Sequence, residues 1–536
     1  MEEIRISNKS TTLISQIIMQ DTLQLIWPRN KLRPCHVVLT QNQMCIKVSD
    51  SGPPASLLGD DGVIQLKDVI GCKVSRGTST KRRDRGGYLT LFWYPMRKKK
   101  IGSACKRISI PVYLRVAQSK EVEDNIKIAD QWHAAIICAL RGIKYQPDLG
   151  SKSCPAPRKL LVFINPCSGS GKASKIFNGK SKDILNEADI LCEVVTTERV
   201  GHAKDYIINA NLSKWDGILV VSGDGLIYEV INGLNERQDW DTVRHMPIGI
   251  LPAGSGNALY ASIMKFSGEP NDIVSATFII AKYSTRPLDL MHLQSKKNNF
   301  LAFLSIGWGM IADIDIKSEK FHFLGSNRFT VEAVSMIAKR KVYRGKISYL
   351  PCDKEPEETR ESQWTNNGNV SERSAVMDET FNFHNDDDMN VTQLDANHQQ
   401  SAILTVGDDS NPIPSLDKPL PNQWKVIDQD FITVVIGNLP YLSTDFLFAP
   451  PSRLDDGKAY IVAVSDKVNR KGLTKILLST KNGQYIESPD VQLIPCKAFR
   501  LVPETEGGYL TVDGEVVDYG PIQGTVEKGG LQVFCL

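Results

Sequence analysis

Ile218-Leu219-Val220-Val221-Ser222-Gly223-Asp224-Gly225-Leu226-Ile227-Tyr228-Glu229-Val230-Ile231-Asn232-Gly233-Leu234 is the stretch that decides how this chain is read. A short apolar run meets a glycine-rich turn, and Leu226 to Leu234 continue with helical spacing of apolar residues. The same succession of strand and glycine turn occurs on both sides of it. Upstream, Leu160-Leu161-Val162-Phe163-Ile164 runs into Asn165-Pro166-Cys167-Ser168-Gly169-Ser170-Gly171-Lys172; downstream, Ile248-Gly249-Ile250-Leu251 runs into Pro252-Ala253-Gly254-Ser255-Gly256-Asn257. Glycine lets a backbone approach phosphate closely, and a helix starting just past such a turn offers unpaired N–H groups and a positive dipole end. In open α/β sheets ligands sit at the carboxyl ends of strands, where all three turns fall. Each turn alone reads equally well as an ordinary tight connection. Three in succession point to a phosphate-handling site.

The common nucleotide motifs do not fit. A Walker loop needs Gly where Pro166 stands and Ser or Thr where Ala173 stands. The dinucleotide fingerprint needs a third glycine where Ser174 follows Gly169 and Gly171. The chemistry is expected from Asp224, flanked by Gly223 and Gly225 at a helix start, where the dipole favours a carboxylate and keeps it ionised. Such a group orients a metal-bound nucleotide or accepts a proton from an attacking hydroxyl. Glu229 and Asn232, three apart on the helix, share a face and are expected beside the same cleft. The bland alternative makes Asp224 a turn residue and Glu229 a solvated one.

With these residues in view, the segment from Ser222 to Leu234 resembles the signature of the diacylglycerol and sphingosine lipid kinase family, and the Asn165 and Pro252 loops are similar to its other two nucleotide loops. Within that family the chain most resembles the sphingosine kinases. Gly307-Trp308-Gly309-Met310-Ile311-Ala312-Asp313-Ile314-Asp315, Ser318-Glu319-Lys320 and Arg328-Phe329-Thr330 resemble the sphingosine-binding segment, as does the tail from Phe448-Ala449-Pro450 through Ala498-Phe499-Arg500-Leu501 to Val512-Asp513-Gly514-Glu515. The resemblance covers about residue 156 to the C-terminus, apart from an insert.

The resemblance implies transfer of the ATP γ-phosphate to the primary hydroxyl of sphingosine or a related sphingoid base, giving sphingosine 1-phosphate. Asp224 is then the general base. The nucleotide is implied to lie among Asn165, Pro166, Ser168, Gly169, Gly171, Lys172, Thr197, Gly223, Gly225, Glu229, Gly254, Ser255, Gly256, Arg328, Asp513, Gly514 and Glu515, with Mg²⁺ near Asp513. Asp315 holds the substrate amine, and Ser222, Ile311, Ile314 and Phe329 complete the lipid site. Charge supports this substrate: a partly desolvated carboxylate stabilises the cationic sphingoid amine and is left unpaired by ceramide or diacylglycerol, at a cost of about 1–3 kcal/mol. Ceramide, diacylglycerol or nucleotide phosphorylation in the same fold remains an alternative, and so does a lipid-binding scaffold with a decayed site. Two departures favour weaker nucleotide binding: Phe321-His322-Phe323 stands where sphingosine kinases commonly carry a basic residue, and Cys167, Ser168 and Ser170 replace basic residues of the first loop.

Length and composition fit a multidomain enzyme. At 536 residues and 41% hydrophobic content the chain suffices for two or three cores. A net charge of +3 is too small to imply nucleic acid, and 11 scattered cysteines without zinc spacing read as reduced cytosolic thiols. No apolar run approaches the roughly 18 residues of a membrane span, and Glu2 and Cys535 leave no lipidation signal. The expected location is cytoplasmic, with peripheral recruitment to anionic membrane; oligomeric state is left open.

The expected architecture is α/β plus β. Residues 156–287 form a phosphofructokinase-like nucleotide domain with a parallel sheet, and 288–536 an antiparallel β-sandwich that binds lipid. Residues 352–424, acidic and rich in Asn, Asp, Ser and Glu, read as a disordered insert. Residues 1–150 show β-like runs at Cys35 to Leu39, Met44 to Val48, Val63 to Leu66, Tyr88 to Tyr94 and Arg107 to Leu114, then a helix from Val122 to Leu140 containing Trp132. This pattern resembles a pleckstrin-homology domain. Its basic runs Lys81-Arg82-Arg83 and Arg97-Lys98-Lys99-Lys100 read equally as a site for anionic headgroups and as a solvated hairpin, with nuclear import a third possibility.

Overall fold

The computed structural model describes residues 16–27, 31–48, 58, 62–76, 84–98, 105–318, 320, 327–352 and 413–536, with the side chains of 327–330 excepted. Most of the expected insert, His322, Lys81-Arg82-Arg83 and Lys99-Lys100 lie outside the described residues.

Strands Ile190–Thr196, Arg158–Ile164, Gly217–Ser222 and Ile248–Pro252 run parallel, side by side in that order. Every residue of Gly217–Ser222 is buried, as a strand covered on both faces requires, and its continuous apolar sequence supplies that. Helices follow the strands, among them His202–Asn209, Asp224–Asn235, Ala258–Ser267 and Ile273–Lys282. Because the earliest strand lies between two later ones, the order in which strands are added reverses between Arg158–Ile164 and Gly217–Ser222 while all stay parallel. That switch brings the first two glycine turns together.

The C-terminal strand Ile522–Phe534 joins this sheet parallel at Ile248 and Val533, then runs antiparallel along Thr285–Ser295 and reaches Val491–Pro503. One sheet of 14 strands therefore passes from the α/β half into the β-rich half. Local sequence pattern separates these halves, whereas pairing between residues almost 300 positions apart joins them. The β-rich half packs Ser305–Gly309, Tyr343–Pro351, Lys425–Gly437, Ala459–Ser465 and Val491–Pro503 around buried Trp308, Tyr343, Phe431 and Phe499. Trp308 meets Tyr343 and Phe431 edge-on at 5.9 and 6.0 Å between ring centres.

The insert expectation needs correction at its end. Arg500, 7% exposed, donates to the carbonyls of Pro414 (2.9 Å), Ser415 (3.2 Å) and Lys418 (2.8 Å), and its Nε donates to Gln523. A buried guanidinium must have its donors satisfied, and residues 413–418, read as part of the insert, supply the acceptors through their backbone.

The N-terminal unit is a seven-stranded antiparallel sheet, with Ile17–Trp27 at its centre and Val69–Arg76 at one edge, two strands the sequence reading missed. The helix Val122–Leu140 lies across it and buries Trp132, whose Nε1 donates to Asp21 Oδ2 at 3.0 Å. This unit is docked on the α/β half. Tyr94 donates to Glu187 at 2.6 Å, Lys73 to Asn186 at 2.9 Å, and Ile70 and Tyr94 join the core of the parallel sheet. Among the described residues, no helix is long and apolar enough to cross a membrane.

Candidate active site

Three glycine turns meet because each lacks a side chain where another passes. A Cβ on Gly254 would overlap the Gly223 Cα and lie 2.8 Å from the Gly223 nitrogen; one on Gly169 would collide with the Ala253 carbonyl. Ser222 Oγ donates to Ser168 Oγ at 3.0 Å, joining the first and second turns. The third turn is folded by Asn257, a residue the sequence reading quoted without assigning it a role. At φ 57 its side chain accepts from Gly254 N–H at 3.0 Å and donates to Gly254 C=O at 2.8 Å. Asparagine tolerates this left-handed backbone better than most residues, which was the available signal.

Gly254→Ala is therefore expected to push the second and third turns apart. A shift approaching 1 Å at a reacting group costs about 100-fold in turnover, and overpacking costs about 1–3 kcal/mol. Turnover per folded molecule and Tm measure the two effects.

Asp224 opens the helix Asp224–Asn235. Its Oδ2 accepts from Ala258 N–H at 2.8 Å and its Oδ1 from Leu259 N–H at 3.1 Å, the first turn of the next helix. Burial pushes this carboxyl above its ordinary range, and the backbone donors pull it back down. The result is a fixed carboxylate at the meeting point of the turns, a basic oxygen aligned rather than solvated.

Asp513 faces it from the β-rich half. The backbone turns left-handed there, with φ 49 at Asp513 and 88 at Gly514. Asp513, 3% exposed, accepts from Phe303 N–H at 2.9 Å, Leu304 N–H at 3.0 Å and Ser305 N–H at 2.8 Å. Burial, with the charge of Asp224 adding to it, pushes its carboxyl up to about 7 against those donors. Its oxygens are thus engaged by backbone. Glu515 is exposed, with Oε1 3.5 Å from where a Gly225 Cβ would stand. Asp315 lies on the helix Met310–Ser318 with Oδ2 3.9 Å from where a Gly514 Cβ would stand, so it borders the same loop.

The remaining expected residues fall as follows. Asn165, Pro166 and Lys172 lie in the first turn, and the Asn165 side chain accepts from Cys167 N–H at 3.0 Å. Gly171 is left-handed there, and Ser255 and Gly256 complete the third turn. Thr197 closes its strand by donating to Ile164 C=O. Glu229 accepts from Ala203 N–H at 3.2 Å, capping the helix His202–Asn209. Asn232 points away from Glu229's partner: it donates to Leu301 C=O at 3.1 Å and accepts from Leu301 N–H at 3.2 Å, clamping the two halves. Asn232 is taken up by backbone on both amide atoms, whereas Glu229 gives one carboxylate oxygen to a helix N–H and stays half-buried. Ile311 edges an apolar cluster with Met310 and Leu442, and Ile314 is buried against Ala333 and Met336. Arg328 and Phe329 lie in the helix Asn327–Lys339, with side chains outside the description.

The Diacylglycerol kinase catalytic domain family matches residues 159–293 and the YegS C-terminal NAD kinase beta sandwich-like domain family matches 422–535. Sphingosine kinase 2 of Homo sapiens is 28% identical over 584 residues, covering 92% of this chain and 88% of that protein. Sphingosine kinase 1 of Mus musculus is 31% identical over 390 residues, covering 71% of this chain and 92% of that protein. Sphingosine kinase 1 of Homo sapiens is 32% identical over 381 residues, covering 69% and 89%.

The chain belongs to the sphingosine kinase family. It is an ATP-dependent lipid kinase. As in any phosphoryl transfer, a kinase of this family needs positioning and charge neutralisation more than covalent chemistry. The converging turns offer the first, with backbone N–H groups and a basic carboxylate held among them.

Proposed function

We propose that this enzyme phosphorylates the primary hydroxyl of a sphingoid base, giving sphingosine 1-phosphate or its analogue, with Asp224 removing the hydroxyl proton. The observation that carries this is the Asp224 carboxylate, held by the Ala258 and Leu259 N–H groups between two glycine turns. Relatives named sphingosine kinase support the substrate class. In this reading the Asn165, Asp224 and Gly254 turns cradle the ATP phosphates, with Lys172 as the cation. Magnesium, when bound, neutralises phosphate charge. Among the described residues no group of three His, Cys, Asp or Glu is arranged to hold a metal, which fits an ion bound chiefly through phosphates and water. Glu515 suits an outer contact to it better than Asp513, whose oxygens accept three backbone N–H groups.

Asp315 pairs with the substrate ammonium, and the tail lies along Met310, Ile311 and Leu442. Each buried CH₂ contributes roughly 0.8 kcal/mol. Peripheral membrane contact is supported by exposed Val331, Val334 and Leu478, the last 78% exposed, beside exposed Arg470, Lys471 and Lys475. The N-terminal unit is read as pleckstrin-homology-like on its antiparallel strands and single helix with Trp132 inside.

The test is purified protein with ATP labelled at the γ-phosphate and sphingosine, dihydrosphingosine, ceramide, diacylglycerol and NAD offered separately. Label is expected on sphingosine and dihydrosphingosine, the two candidates that carry a free amine beside the hydroxyl. Asp315→Asn should lower kcat/KM for sphingosine by about 10–100-fold, the equivalent of the 1–3 kcal/mol lost with one charged partner. Label on ceramide alone would overturn both substrate and Asp315 assignments.

A further inference from the structure

The helix Ala258–Ser267 has its two ends in different settings. Its first turn supplies the N–H groups that hold Asp224, at 2.8 and 3.1 Å. At the other end the chain leaves through Gly268, left-handed at φ 64, and the next N–H, of Glu269, donates back to Met264 C=O at 3.1 Å. This closing motif fastens Glu269 to the last turn, so that Glu269 moves with the helix.

The Glu269 side chain, 4% exposed, is held from the N-terminal unit. Arg107 Nε donates to its Oε2 at 2.8 Å and Arg107 Nη2 to its Oε1. Arg107 Nη1 also donates to Asp68 Oδ1 at 2.8 Å and to Tyr94 C=O at 2.6 Å. The guanidinium lies 3.6 Å from the Phe278 ring centre, and only 7% of the side chain is exposed. Nearby, Lys282 Nζ donates to the Leu66 and Val69 carbonyls, each at 2.9 Å. A buried, bidentate ion pair is a poor source of net stability compared with apolar packing, but it fixes one geometry. The helix between this latch and Asp224 has 10 residues, a rigid span of about 15 Å.

We propose that Arg107 is a positioning residue for phosphoryl transfer: through Glu269 it fixes the far end of the helix whose first turn orients Asp224. The N-terminal unit is then part of the catalytic machinery without touching substrate. This rests on Asp224 acting as the base. Asp224 is faced by Asp513, with Glu515 beside Gly225, and both belong to the β-rich half, away from the latch. A change in Asp224 titration on altering Arg107 therefore reports on the Ala258 and Leu259 donors.

The experiment uses the full-length protein and compares Arg107→Ala, Arg107→Lys and the exchanged pair Arg107→Glu with Glu269→Arg. Arg107→Ala is expected to lower kcat about tenfold with both KM values within about twofold, since misplacement acts on the reacting geometry rather than on binding. Looser N–H donors should also move the acid limb of kcat to higher pH and speed amide hydrogen exchange at Ala258 and Leu259. Arg107→Lys, which keeps the charge facing Glu269 and Asp68, should recover part of the loss, whereas the exchanged pair, which sets a carboxylate against Asp68, should not. Wild-type kcat per folded molecule and an unmoved acid limb in Arg107→Ala, whatever its Tm, would overturn the inference. Failure of the underlying reading looks different: Asp224→Asn would keep its turnover.

Discussion

Asp224→Asn is expected to lower kcat by about 10²–10⁴-fold, the contribution of one general base within hydrogen-bond reach. The substitution is nearly isosteric, and its remaining oxygen can still accept from Ala258 or Leu259, so the turn should persist. What it removes is the basic lone pair, and its amide nitrogen is set against a backbone donor. Nucleotide and lipid binding, made by other groups, should stay within about threefold by calorimetry, because the loss falls on the transition state. The wild-type enzyme carries a matching pH signature. Burial raises the Asp224 carboxyl above the usual aspartate range, and the base works only when ionised. Turnover therefore falls as pH drops through this raised value, at higher pH than for a solvated aspartate, and the Asn variant should lack that limb. Unchanged turnover in the variant would remove Asp224 from the chemistry.

Asp513→Ala is the second large effect, and it is first one of stability. Three N–H groups, from Phe303, Leu304 and Ser305, would lose their acceptor in a site where Asp513 is 3% exposed. Each orphaned buried donor costs about 1–3 kcal/mol, less where water enters, so a net loss of about 3–4 kcal/mol is expected. Denaturant unfolding reads it directly. A residue serving only as a metal ligand would behave oppositely, since removing it relieves repulsion from Asp224 and leaves Tm level or higher. Turnover should fall too, because the Asp513 loop borders Asp315 at Gly514 and would shift once its anchor to Phe303, Leu304 and Ser305 is gone.

Three of the four parallel strands were legible from their apolar runs ending in glycine turns, and the N-terminal helix from its spacing around Trp132, because burial on a strand or helix face is written into neighbouring residues; the half-exposed edge strand Ile190–Thr196 was not. Ile17–Trp27 and Val69–Arg76 escaped, although the first alternates between apolar and polar residues over part of its length. Asn232 shows the limit at the site. Helical spacing put it on one face with Glu229, but the strand through Leu301 arrives from elsewhere in the chain and takes both its amide atoms for backbone hydrogen bonds. The 413–418 segment is similar: its composition is that of a loop, and it is buried Arg500, with Gln523 beside it, that holds its carbonyls in place.

By itself the sequence determined the glycine turns, their order and the carboxylate within the second, since close backbone approach and a helix start depend on residues a few positions apart. Tertiary structure alone decided that Gly223 packs on Gly254, that Asp224 is held by a helix beginning 34 residues later, that Asp513 spends its oxygens on a turn about 210 residues earlier, and that Arg107 reaches Glu269. Hydrogen bonds and ion pairs of this range depend on how separate elements dock, and no local pattern carries that information.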